Sequence, residues 1–331
     1  MQVLSLTSSA INGGGFSVIA AYIGDNTVNN SGLCENIPSL RVLEPIVPVT
    51  ISQCKGKSAE VGKIESNSTV NLQTPASQRV NPEYLQWLVG LTDGEGTFSL
   101  VNQRDRFLHR FAIGMNSRDL QLLHYLKTLI GCGRIDKREV TSNFSIGRMD
   151  QLLEHVVPIF KEYPLLTRKN FQFDVWSSTL EVRKNKEPIL VKPDYLKDVA
   201  NYALSIDEIL NLEYFDNWLI GFIEAEGCFS ISKENGGKRI RPYFYIDQKY
   251  DAHNLGAISK RLHLRDVQIR HTRGNMYALS AKSKRELQSV INFIAHSKVK
   301  FVGYKGLQFK LWIKEIRNLP NYSSLNLPDH Y

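Results

Sequence analysis

One stretch of this chain is written twice. WLVGLTDGEGTFSL, from Trp87 to Leu100, returns as WLIGFIEAEGCFSI, from Trp218 to Ile231. A second echo, KNFQFDVW from Lys169 to Trp176 and KGLQFKLW from Lys305 to Trp312, recurs at nearly the same offset. Two unrelated echoes at nearly one spacing mark a duplicated unit. Such a duplication limits the fold severely, because whatever one copy forms must exist twice and bury its surface.

Each unit reads as helix, two strands, helix, two strands, helix. The opening helices, Tyr84 to Gly94 and Phe215 to Ala225, are apolar all round, as buried helices are. The strand that follows alternates large and small side chains: Thr97, Phe98, Ser99, Leu100 in one copy and Cys228, Phe229, Ser230, Ile231 in the other. Second strands are read at Phe111 to Met115 and Tyr243 to Gln248. Leu122, Leu123, Leu126 and Leu129 give the next helix its stripe. This predicts an α+β protein of two units, 81–185 and 213–317, with a linker at 186–212 and a tail at 318–331.

The opening helices also carry small residues four apart, Gly90 and Gly94 in one copy and Gly221 and Ala225 in the other. Positions four apart share a helix face, so two such helices can bring their backbones close. Pairing across that face would bring Glu95 and Glu226 together at the helix ends. Two adjacent carboxylates repel unless a cation lies between them, and oxygen ligands with room for water and phosphate suit Mg²⁺. Such a site suits phosphodiester hydrolysis, in which metal ions about 3.5 to 4 Å apart serve attacking and leaving oxygens. An acid ending one isolated helix would equally well face solvent; repetition of the whole unit argues for the pair.

The nonapeptides Leu88 to Gly96 (LVGLTDGEG) and Leu219 to Gly227 (LIGFIEAEG) resemble the signature of LAGLIDADG homing endonucleases. The resemblance covers about residues 81–331 and is closest to single-chain enzymes of fungal mitochondrial introns. It implies two pseudo-symmetric αββαββα units whose antiparallel sheets form a saddle over double-stranded DNA. Glu95 and Glu226 would be ligands of catalytic Mg²⁺, with Gly94 and Ala225 beside them in the metal set. Lys169 and Lys305 match basic residues that the family places near the scissile phosphates. Gln248 matches a polar residue near the catalytic centre, whereas the first unit has Met115 there. Asp93 and Glu224 are expected to make local hydrogen bonds or salt bridges.

For the saddle, the strand faces opposite the core offer Thr97, Ser99 and Gln103 in one unit and Cys228, Ser230, Ser232, Tyr243 and Tyr245 in the other. Such side chains can meet base edges in a major groove. Arg134, Lys137 and Arg138 suit phosphate contacts. Because these faces have diverged between the copies, a monomer reading a non-palindromic target is expected. Some relatives assist splicing, so a group I intron RNA is a second candidate partner, and a mitochondrial location follows from the resemblance alone.

Charge supports the division. Residues 1–80 hold five basic and five acidic groups, so the net +8 lies wholly in 81–331, as a polyanionic partner would select. The same N-terminal segment is rich in Ser, Thr, Asn, Gln, Gly and Pro, lacks aromatics after Tyr22, and is expected to form a disordered extension. No basic residue precedes Arg41, which argues against a transit peptide. The cysteines form no C-x-x-C pair, so no zinc site is indicated, and no apolar run reaches the roughly 20 residues that span a bilayer.

Overall fold

The computed structural model describes residues 81–103, 106–185, 204–234, 236, 239–265 and 276–329. The extension at 1–80 and most of the expected linker lie outside the described residues.

Helix α1 (Pro82–Glu95) starts where Asn81 accepts a hydrogen bond from Glu83 N and Pro82 supplies a preset φ at the first turn. It leads into the hairpin β1 (Gly96–Gln103) and β2 (Arg106–Asn116), in which Phe98 faces Phe111. Helix α2 (Leu120–Ile130) ends at Gly131, whose φ of 82° closes the C-terminus in the left-handed region. Strands β3 (Arg134–Asp136) and β4 (Thr141–Ile146) complete an antiparallel sheet ordered β1-β2-β4-β3. Helix α3 runs from Met149–Gln151 through a π-helical turn, Leu152–Val156, into Val157–Glu162. Pro158, with no N–H and a ring that crowds the preceding turn, accounts for that widening. Helix α4 (Lys169–Lys184) ends the first half.

A short helix, α5 (Ile206–Leu210), stands where only a linker was expected, started by a Ser205/Glu208 capping box and anchored by buried Ile209. The second half repeats the plan. Helix α6 (Phe215–Glu226) precedes β5 (Gly227–Glu234) and β6 (Arg239–Lys249), with Phe229 facing Phe244. Helix α7 (Ala252–Arg261), strand β7 (Met276–Ala281), and helices α8 (Lys284–His296) and α9 (Tyr304–Arg317) follow. Among the described residues the second sheet is ordered β5-β6-β7, and the expected fourth strand lies outside them.

The repeat holds at the level of ring contacts. Phe98 lies 5.2 Å from Phe173 and 5.3 Å from Trp176; Phe229 lies 5.2 Å from Phe309 and 5.3 Å from Trp312. Each fully buried side chain of this kind contributes roughly 1.5–3 kcal/mol. The indoles add direction: Trp176 donates to Ser99 O and Trp312 to Ser230 O. The Phe and Trp shared by the second echo are therefore core anchors that fix the rotation of α4 and α9 against β1 and β5, and with it the position of the lysine opening each helix.

Candidate active site

The two halves meet along α1 and α6. A Cβ added at Gly90 would lie 1.9 Å from Trp218 O, and one at Gly221 would lie 1.9 Å from Trp87 O. Only glycine permits main chains this close. At the far end of the stripe a Cβ on Gly94 would meet Ala225 Cβ at 2.3 Å and Glu226 Oε1 at 3.3 Å, so the Glu226 carboxyl lies against the first half's helix end.

Behind this floor two acids tie the halves together. Asp93 is fully buried and accepts from Leu166 N (2.8 Å), Thr167 N (3.2 Å), Thr167 Oγ1 (2.5 Å) and, from the other half, Trp218 Nε1 (2.7 Å). Glu224 accepts from Val302 N, Gly303 N and, across the axis, Trp87 Nε1 at 2.8 Å. Asp93 and Glu224 make hydrogen bonds as expected, but their partners are distant in sequence, and one of each set comes from the opposite half. Burial raises Asp93 to a pKa of about 6 and Glu224 to about 7, against the pull of these donors.

At the floor, burial raises Glu226 to about 7, and the charge on Glu95 adds to the shift. Burial raises Glu95 as well, against the attraction of Lys169 and Lys305. Lys169 Nζ donates to Thr92 O (3.1 Å) and Gly94 O (2.6 Å), and Lys305 Nζ to Gly227 O (2.5 Å). Desolvation lowers both lysine pKa values, although both glutamates counteract it. The structure thus brings together Glu95, Glu226, Lys169, Lys305, Gly94 and Ala225.

No group of three or more His, Cys, Asp or Glu side chains able to hold a metal occurs among the described residues. The donors at the floor are two mutually repelling carboxylates and helix-end carbonyls, all oxygen. That set suits Mg²⁺ completed by water and phosphate better than zinc, which takes nitrogen and sulfur.

Gln248 reaches the site through Asp251, which accepts a hydrogen bond from Arg168 N beside Lys169. It pairs with Tyr277 in β7 and hydrogen-bonds Asp251, on the side of β6 that carries Phe244 and Ile246 to the core. Its neighbour Asp247 faces the other way, and its charge reaches Glu226. Met115 occupies the matching core-facing place in β2 and is buried.

On the outward faces Thr97 is exposed, Ser99 and Ser230 are half-buried, and Ser232 Oγ donates weakly to Arg241 O at 3.4 Å. Tyr243 and Tyr245 stack with centroids 5.8 Å apart. Cys228 is the exception, 6% exposed and so unavailable to a base in this arrangement. Gln103 ends β1; Arg134 is exposed and paired with Asp136, and Lys137 and Arg138 are exposed between β3 and β4. Sequence reading missed Asp247, Asp119 and Asp251. Asp119 stands almost as far downstream of Glu95 as Asp251 does of Glu226, a regularity visible in the sequence.

A LAGLIDADG endonuclease family model matches residues 88–180 and again 219–316. The probable intron-encoded endonuclease Cox1-I1b of Schizosaccharomyces pombe is 28% identical over 259 residues, covering 73% of this chain and 66% of that protein. The probable intron-encoded endonuclease aI3 of Dictyostelium citrinum is 29% identical, covering 62% of this chain and 84% of its own length. Among solved structures, meganuclease I-SmaMI bound to uncleaveable DNA shares the fold with a TM-score of 0.58 at 21% identity, over 73% of this chain and 94% of its own. The LAGLIDADG meganuclease I-AabMI bound to uncleaved DNA gives the same TM-score and identity over 75% and 94%. Both matched segments open on a helix that ends in a floor glutamate, and this chain belongs to the LAGLIDADG endonuclease family.

Proposed function

We propose that this chain is a Mg²⁺-dependent endonuclease that cuts both strands of a double-stranded, non-palindromic DNA site, acting as a monomer in intron homing. One observation carries the reading: a glutamate and a lysine from each half converge where α1 and α6 end, between two sheets with polar outward faces. Bound at Glu95 and Glu226, with Gly94 and Ala225 at the helix ends, divalent ions would neutralise charge on the scissile phosphate and on the attacking water. Lys169 and Lys305 stand beside them as cations for the charge that develops on phosphorus-bound oxygen. Desolvation lowers both lysine pKa values, so each Nζ gives up a proton more readily than an exposed lysine does.

Thr97, Ser99, Gln103, Ser230, Ser232, Tyr243 and Tyr245 would read bases from unlike faces, and Arg134, Lys137 and Arg138 would hold phosphates. Splicing of a group I intron RNA requires none of the four floor side chains, so their retention favours cleavage. A mitochondrial site of action is supported by the intron-encoded relatives and by similarity to a mitochondrial protein of Saccharomyces cerevisiae.

The test is incubation of the full chain with a randomised duplex library in Mg²⁺, then in EDTA. Cleavage at one asymmetric site, lost in EDTA and lost in Glu95→Gln or Glu226→Gln with DNA binding retained, is the expected result. Loss of binding in step with cleavage would remove the metal-site assignment, and equal cutting of palindromes built from either half-site would remove the asymmetric reading.

A further inference from the structure

Each lysine-bearing helix begins against a carboxylate of the opposite half. Asp119, at the start of α2, accepts a hydrogen bond from Tyr304 N at 2.7 Å; Asp251, at the start of α7, accepts one from Arg168 N at 3.1 Å. Tyr304 and Arg168 are the residues immediately before Lys305 and Lys169. An aspartate bound to the first N–H groups of a helix fixes where that helix starts and how it is turned. Here the cap comes from across the pseudo-twofold axis.

The residues before the two aspartates cross in the same way. The Arg118 guanidinium lies over the Tyr304 ring at 4.9 Å, and the Arg168 guanidinium lies over the Tyr250 ring at 3.9 Å. These are one contact with cation and ring exchanged between the halves. Both copies have thus kept the pairing through opposite choices of residue. Tyr250 has φ 74°, a left-handed conformation that a tyrosine holds only where its surroundings impose it. On the other side a Cβ at Gly303 would come within 2.6 Å of Asp119 Oδ1 and 3.2 Å of Glu224 Oε1, so the chain entering α9 passes between two acids with no room to shift.

We propose that Asp119 and Asp251 are positioning residues, each aligning the lysine of the other half, so that neither half can assemble its own cleavage site alone. The inference rests on the endonuclease reading above. Its consequence is selective by strand. Misplacing a reacting group by about 1 Å can cost on the order of a hundredfold in rate. Asp251→Ala in the full chain should therefore slow one strand by roughly 10- to 100-fold, and it should be the strand that Lys169→Met slows. Asp119→Ala should slow the opposite strand, the one sensitive to Lys305→Met. Asp251→Asn and Asp119→Asn keep an acceptor oxygen and lose the charge, so they should restore most of the rate.

The experiment follows both labelled strands of a duplex recovered by the library cleavage, with thermal melting and gel shifts on each variant. If a variant with alanine fails to fold, the corresponding Asp→Ser, polar but too short to reach, is read by the same criteria. Should the unaltered chain cut neither strand, the endonuclease reading fails first. Where it does cut, equal slowing of both strands, slowing of the wrong strand, or Asn variants as slow as Ala would overturn the cross-half assignment.

Discussion

The two halves solve the same packing problem and different electrostatic ones. Where α1 and α6 touch, Gly90 and Gly221 face the opposite tryptophan carbonyl at one distance, 1.9 Å from a would-be Cβ in either direction. One turn further on the likeness ends. The first half buries an aspartate held by four donor groups, one of them the Thr167 hydroxyl; the second buries a glutamate whose loop offers Val302 N and Gly303 N and no hydroxyl. Asp247 adds negative charge beside Glu226, where the first half has Gly114 at the matching place in β2. Main-chain geometry is therefore the part that both copies must keep, while the acids around it can be satisfied by different inventories.

The largest effect should come from breaking the part that is alike. Gly90→Ala and Gly221→Ala each force a methyl into a backbone carbonyl, and each should lower unfolding free energy by about 3 kcal/mol or more, within error of the other. Denaturant titration measures this; a large inequality would show that one helix yields and that the axis is less symmetric than its distances.

Removing the crossing indole donors should separate the halves. Trp87→Phe leaves Glu224 with two backbone donors, and Trp218→Phe leaves Asp93 with three groups. Each substitution should cost about 1–3 kcal/mol, with Trp87→Phe the more damaging. The reverse order in the same titration would mean that the longer glutamate relaxes to find another partner.

How much of this could be read from the sequence follows the same line. The helix stripe, the floor glutamates, the paired lysines and the strand faces repeat in the sequence, and repetition exposes them. What escaped was relational. Asp93 and Glu224 are ordinary acids until loops far along the chain are folded onto them. Asp247 had its signal in strand alternation, since the pattern that turns Tyr243 and Tyr245 outward turns Asp247 outward with them. The α5 helix had its signal in Ser205 and Glu208, obscured by Pro188 and Pro193 just upstream, which read as linker.

The smallest expected effect concerns pH. Glu226 ordinarily titrates near 4.5 and does so at about 7 in the folded chain. Between those values the unfolded chain loses its proton first, so this group makes metal-free stability fall as pH rises from 4.5 to about 7. Glu226→Gln lacks the titration, and its melting temperature in EDTA should gain on the unaltered chain across that window by on the order of 2–4 °C. Glu95→Gln should gain less, because burial raises Glu95 against the pull of Lys169 and Lys305, which comes ahead of the push from Asp119. A gap that stays constant with pH would mean that the Glu226 carboxylate is already solvated.

Because backbone meets backbone at the glycine-lined contact between α1 and α6, recognition between the halves does not depend on the peptide that joins them. The covalent connection supplies effective concentration, holding the halves together at dilutions where two separate chains would part. Two separately produced half-chains, one ending after α4 and one beginning at α5, would present the same complementary faces, and their reassociation would depend on concentration as that of any dimer does.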